Sequence, residues 1–105
     1  MTDCLFCKIV NKTIPAKIVY EDDEIMAFND IHPKADIHIL IIPKIHLESM
    51  LYLNSSHTQL IGNLMLKTNE IAKNIGLEGY KINIHNGVKG GQEVPHLHVH
   101  LLGNI

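Results

Sequence analysis

His96-Leu97-His98-Val99-His100-Leu101-Leu102 alternates imidazole and aliphatic side chains with a period of two. Successive side chains of a β-strand point to opposite faces, so the spacing predicts a strand over residues 95–102. Three histidines then share one face and the aliphatics the other. The aliphatic face suits a core and the histidine face suits a site. A single histidine is more often structural than chemical. Three in a row are different, because they repel one another when protonated and pack less well in a strand than Val or Ile. Neutral imidazole near pH 7 attacks electrophiles, moves protons and binds metals.

Upstream of this strand the periodicity predicts four more. Residues 18–20 and 25–28 read as a hairpin joined by the acidic turn Glu21-Asp22-Asp23-Glu24. Residues 38–42 form a β-branched run ended by Pro43, and residues 82–84 form a short run before the loop 86–93. A long amphipathic helix lies between, with Leu60, Leu64, Ile71 and Ile75 on one face and Ile61, Met65 and Ala72 beside it. Ser56 with Gln59 fits a capping box, and Gly76 sits where a helix commonly stops. Residues 4–11 have room for one or two helical turns. The pattern predicts an α+β fold, an antiparallel sheet with one long helix and a short N-terminal one.

A chain of 105 residues that is 46% hydrophobic and 19% charged fits one compact domain, residues 1–105. Its net charge of −2 gives no push toward nucleic acid or an anionic membrane. The N-terminus lacks an apolar leader, and no run approaches the ~20 apolar residues that span a bilayer. A cytoplasmic protein with neither nucleic-acid nor membrane partners is expected. Cys4 and Cys7 are the two cysteines. Without an export signal or a βαβ pattern, neither a structural disulfide nor a thioredoxin-like role is favoured. Two thiolates with two imidazoles would instead make a tetrahedral zinc site.

The loop Gly87-Val88-Lys89-Gly90-Gly91-Gln92 runs into the histidine strand. Glycines let backbone N–H groups approach an anion, so such a loop can cradle a phosphate. Beside three histidines it points to phosphoryl chemistry, with one imidazole attacking phosphorus while neighbouring donors stabilise the oxygens.

The stretch from Gly87 to Leu102, with Gly-Gly-Gln-Glu-Val just ahead of the three histidines, resembles the signature of the histidine triad family of nucleotide hydrolases and transferases. Phe6-Cys7-Lys8-Ile9-Val10, Ala27-Phe28-Asn29-Asp30-Ile31 and Ile41-Ile42-Pro43-Lys44 agree with it in order, and the resemblance is greatest to the Hint-like nucleoside phosphoramidase branch. It implies a sheet of five antiparallel strands that dimerises into ten. It also implies hydrolysis of nucleoside 5′-phosphoramidates of purine, AMP type. The alternatives are a dinucleoside polyphosphate hydrolase or a nucleotide-binding scaffold with residual catalysis.

Carried over by residue, His98 is the nucleophile that forms a nucleotidyl-imidazole intermediate. His100 binds phosphate and assists the leaving group, His96 orients the nucleophile, and His38 completes the proton network. Asp30 accepts the ribose hydroxyls, while Phe6, Ile9, Phe28 and Ile31 surround the base. Gly91, Gln92 and Glu93 lie on the phosphate loop. Catalysis needs no metal, and a structural zinc would take Cys4, Cys7, His46 and His96. The family normally carries Asn at the position of His85, so either Asn86 substitutes or His85 itself donates to the phosphate. Ending at Ile105, the chain is also expected to lack the C-terminal extension that shapes leaving-group preference in some relatives.

Overall fold

The computed structural model of the chain describes residues 4–104. The five strands are β1 (Ile18–Glu21), β2 (Ile25–Asn29), β3 (Ile37–Pro43), β4 (Lys81–Asn83) and β5 (Val99–Gly103). They form one sheet in the order β1-β2-β3-β5-β4, with every neighbouring pair antiparallel. Helix α1 is Leu5–Val10 and helix α2 is Thr58–Asn74.

Alternation along the strands loads both faces of the sheet. Ile25, Ala27, Ile39, Ile41, Val99 and Leu101 share one buried cluster with Leu64, Ile71 and Ala72 of α2. Met26, Phe28, Leu40 and Ile42 point the other way and pack with Phe6 and Ile9 of α1. Burial on both faces is why β3 reads as an almost unbroken apolar run. His38 is the polar interruption, and it lies on the α1 side with Leu40 and Ile42. Among the described residues, no helix is long and apolar enough to cross a membrane.

Three local expectations need correction. The last strand starts at Val99, not at residue 95, because the Ile41–Val99 pair is followed on β3 by Pro43, which has no N–H for the ladder. Leu97 N–H donates instead to the Leu47 carbonyl at 2.6 Å, while Leu97 still turns inward and His96 and His98 still turn away. The helix entry uses Asn54, whose side chain accepts from Ser56 N–H at 2.9 Å in the 3-10 turn Ser55–His57, so the Ser56–Gln59 box does not form. Ile75 is the C-cap of α2 and exposed, not part of its buried face. Gly76 does stop the helix, at φ +84°, with Leu77 N–H donating to Ala72 at 3.0 Å in a Schellman turn.

Candidate active site

A cavity of about 400 Å³ opens on the α1 side of the sheet. Phe6 and Ile9 from α1, with Phe28 and Leu40 from the sheet, give it an apolar end. Asp30, His38, His85, Glu93, His98 and His100 make the other end polar. Phe6 links the two, its ring standing edge-on to Phe28 at 5.4 Å and to His98 at 5.0 Å.

Hydrogen-bond partners assign a proton to each imidazole. His98 Nδ1 is 2.6 Å from the His96 carbonyl oxygen, which can only accept. The proton therefore sits on Nδ1, and Nε2 keeps its lone pair. Lys34 N–H donates to His38 Nδ1 at 3.1 Å, which leaves the His38 proton on Nε2. That Nε2–H faces His100 Nδ1 at 2.9 Å and Asp30 Oδ2 at 3.4 Å. His100 accepts at Nδ1 and so carries its own proton on Nε2. This Nε2–H is buried with no partner among the described residues. A nucleophilic lone pair and an unpartnered donor thus stand on adjacent rings, with centroids 4.8 Å apart.

Burial favours the neutral form of each ring. It holds His98 below the usual imidazole range, and it does the same to His38 against the opposing pull of Asp30. His100 is pushed down to about 4, first by burial and then by His98, His38 and His85. The His98 lone pair is therefore available at neutral pH.

The glycine loop binds itself before it binds anything else. The N–H groups of Gly90, Gly91 and Gln92 donate to carbonyls of Val88 and Gly87 at 3.0–3.1 Å, and Gly87 N–H donates to Gln92 Oε1 at 2.7 Å. These amides are turned inward, which corrects the expectation that they cradle an anion. The next two residues, Glu93 and Val94, line the cavity, and among the described residues no hydrogen bond takes their N–H groups.

Behind the site, Cys4, Cys7, His46 and His96 bring four ligand atoms within 4.8 Å of one another. Cys4 Sγ is 3.3 Å and Cys7 Sγ 3.6 Å from His96 Nδ1, and Cys7 Sγ is 3.3 Å from His46 Nδ1. Ligand atoms around one tetrahedral zinc are separated by roughly 3.3–3.8 Å, given its bond lengths. His96 Nε2–H donates to the Pro43 carbonyl at 2.8 Å, which fixes the ring with its Nδ1 lone pair pointing into the cluster, as a metal-binding histidine needs. Burial pushes Cys7 up to about 11 and His96 down to about 4, and a cation among them would favour the thiolate. The residues fit zinc.

Asp30, His38 and His100 also converge within 4.8 Å. There the chemistry differs, because Lys34 N–H occupies His38 Nδ1 and leaves no lone pair on Nε2 for a cation. That cluster is a hydrogen-bonded chain from the Lys34 amide through His38 to His100 and Asp30.

Residues 3–105 match the family described as scavenger mRNA decapping enzyme C-term binding. Protein HitA of Neisseria gonorrhoeae is 51% identical over 104 residues, spanning 98% of this chain and 97% of that protein. The structure of a histidine triad protein from Clostridium difficile has a TM-score of 0.96 at 41% identity, covering all of this chain (100%) and 93% of that one. The chain belongs to the histidine triad family. A HIT family hydrolase from Legionella pneumophila Philadelphia 1 also gives a TM-score of 0.96, at 43% identity over 98% of this chain and 94% of its own. The 14 kDa zinc-binding protein of Brassica juncea is 43% identical over 104 residues, 96% of this chain and 92% of that protein. These solved structures share the α+β fold.

The structure brings most residues singled out in this histidine triad sequence to two places. His38, His98 and His100 meet at the polar end of the cavity with Asp30, His85, Gly91 and Glu93, and Phe6, Ile9, Phe28 and Ile31 line the rest. His96 faces away, into the Cys4–Cys7–His46 cluster. Two residues do not reach the cavity. Asn86 Oδ1 accepts from Met50 N–H at 2.8 Å, which leaves His85 as the one facing the site. Gln92 accepts from Gly87 and donates to the Glu48 and Val94 carbonyls, so it staples the loop. Sequence reasoning missed the Lys34 amide and the Pro43 carbonyl. Both act through backbone atoms, which every residue type carries, so no side-chain pattern announced them.

Proposed function

We propose that the chain is a hydrolase of nucleoside 5′-phosphoramidates, of purine and AMP type, acting through a nucleotidyl-His98 intermediate. The observation that carries this reading is the His98 Nε2 lone pair beside the unpartnered His100 Nε2–H in one cavity. The naming of the Legionella relative as a hydrolase is in keeping with it. The base would enter the apolar end between Phe6, Ile9 and Phe28. Asp30 Oδ1 already accepts His32 N–H at 2.8 Å, and the lone pairs left on that carboxylate would take the ribose hydroxyls. His100 Nε2–H and the Glu93 and Val94 amides would hold the phosphoryl oxygens. His98 Nε2 attacks phosphorus as the P–N bond breaks, and water then displaces the imidazole to release the monophosphate. Imidazole suits both steps because it is nucleophile and leaving group in turn.

Zinc at Cys4, Cys7, His46 and His96 would be structural, since four protein ligands leave no open position. The two thiols are free, which suits a reducing cytoplasm. A homodimer is supported by the open edge of β4, with Tyr80 and Ile82 exposed beside it. The test is release of a fluorogenic amine from adenosine 5′-phosphoramidate, run beside His98→Ala. The variant is expected to lose at least roughly 10³-fold in kcat while still binding AMP. Wild-type binding of AMP without turnover would overturn the reading.

A further inference from the structure

His85 lies in the cavity and has no part in the network described above. It follows β4 by two residues, and the Asn83–His100 pair across the β4–β5 ladder sets it beside the site. Its ring centroid is 5.0 Å from that of His100, with the planes tilted 35°. The side chain is half-buried and lines the cavity with His98 and His100. Among the described residues, no hydrogen bond engages either of its ring nitrogens. Of the other imidazoles on the cavity, His98 is held by the His96 carbonyl, His38 by Lys34 and His100 by His38, while exposed His32 has neither nitrogen held among the described residues.

We infer that His85 is the proton donor to the leaving group, a catalytic residue additional to the triad. The inference rests on the phosphoramidase reading. An alkylamine cannot leave phosphorus as its anion, so breaking the P–N bond requires a proton at nitrogen. His100 has one N–H, and a phosphoryl oxygen held by it leaves none for the amine. His98 spends its proton on the His96 carbonyl. His38 spends its proton on His100. His85 has both nitrogens open and its ring against His100, whereas His32, the other cavity imidazole with neither nitrogen held, is exposed on the β2–β3 loop and makes no ring contact with His98 or His100.

The cycle balances. In the first step the His98 Nε2–P bond forms, the P–N bond breaks, and His85 in its imidazolium form passes one of its two N–H protons to the departing nitrogen and is left neutral. In the second, water attacks phosphorus, the Nε2–P bond breaks, and His85 takes the proton that water gives up. The other titratable and charged groups on the cavity are His38 from β3, Asp30, His32 and Lys34 from the β2–β3 loop, and Glu93 from the glycine loop.

The experiment is kcat/KM for wild type and His85→Asn across adenosine 5′-phosphoryl compounds of graded leaving-group basicity, from an alkylamidate through anilidates to a nitrophenyl ester. General-acid catalysis is worth roughly 10²–10⁴-fold, and only the basic leaving groups need it. The alkylamidate is expected to lose about 10²-fold in the variant, and the nitrophenyl ester at least tenfold less, so that the rate depends more steeply on leaving-group pKa. His85→Gln is expected to show the same steepening. A loss of equal size along the series would mark a positioning or structural role and overturn the assignment. Wild type inert on every compound would instead overturn the hydrolase reading beneath it.

Discussion

Whether His98 attacks depends on where one proton sits, and a backbone carbonyl places it on Nδ1. The same dependence on neutral imidazole makes the site sensitive to acid. An unfolded histidine titrates near 6.5, whereas His100 in the fold is pushed down to about 4 by burial and then by His98, His38 and His85. Between these values the unfolded chain binds the proton and the native one does not, so stability is complete above about 6.5 and is lost as pH falls toward 4. At pH 5 this one group costs about 2 kcal/mol relative to pH 7.5. Urea unfolding at the two pH values is expected to show a midpoint lower by about 1–2 M in acid. His100→Asn is expected to flatten that dependence, and an unchanged pH dependence in the variant would refute the assignment. The sequence displayed the shared face of His96, His98 and His100 through simple alternation. It did not display which nitrogen of each ring holds the proton, because that is decided by backbone atoms, the neighbouring Lys34 amide and His96 carbonyl and the distant Pro43 carbonyl, which every residue type carries.

The elements themselves were legible wherever side-chain periodicity decides them. Helix α2 shows this at its C-terminal end, where Gly76 takes φ +84° and Leu77 folds back over the last turn. A Cβ at Gly76 meets nothing within 4 Å, so Gly76→Ala acts through backbone strain alone. It is expected to cost about 1 kcal/mol, or roughly 4–8 °C in thermal midpoint. A midpoint within a degree of wild type would show that the turn relaxes without strain. The N-terminal end was misread because Asn54, Ser55 and Ser56 all suit a cap, and only the 3-10 turn before Thr58 selects Asn54. The late start of β5 was hidden for a related reason. Residues 94–96 bend, with His96 N–H donating to the Val94 carbonyl at 2.8 Å, and ladder pairing depends on the partner strand, where β3 ends in a proline.

Three segments far apart in sequence meet at the Cys4, Cys7, His46 and His96 cluster, and the six-residue helix α1 is anchored there. So short a helix has little stability of its own and depends on what it packs against. It nevertheless supplies Phe6 and Ile9 to the cavity, and Phe6 packs edge-on against both His96, at 5.9 Å, and His98, at 5.0 Å. A zinc in the cluster would therefore hold the apolar end of the cavity in place as well as the fold. Metal analysis of the purified protein is expected to find one zinc per chain, and Cys4→Ser or Cys7→Ser to abolish it. A ligand present at ~1,000 times its dissociation constant stabilises by about 4 kcal/mol, so chelation is expected to lower the thermal midpoint by at least about 10 °C. Because α1 lines the apolar end of the cavity, where the proposed function puts the base, and does not carry His98, the chelated protein should weaken in AMP affinity first, as read by titration below its new midpoint. Unaltered AMP affinity after complete zinc removal would separate the cluster from the site, leaving it a clamp on the fold alone.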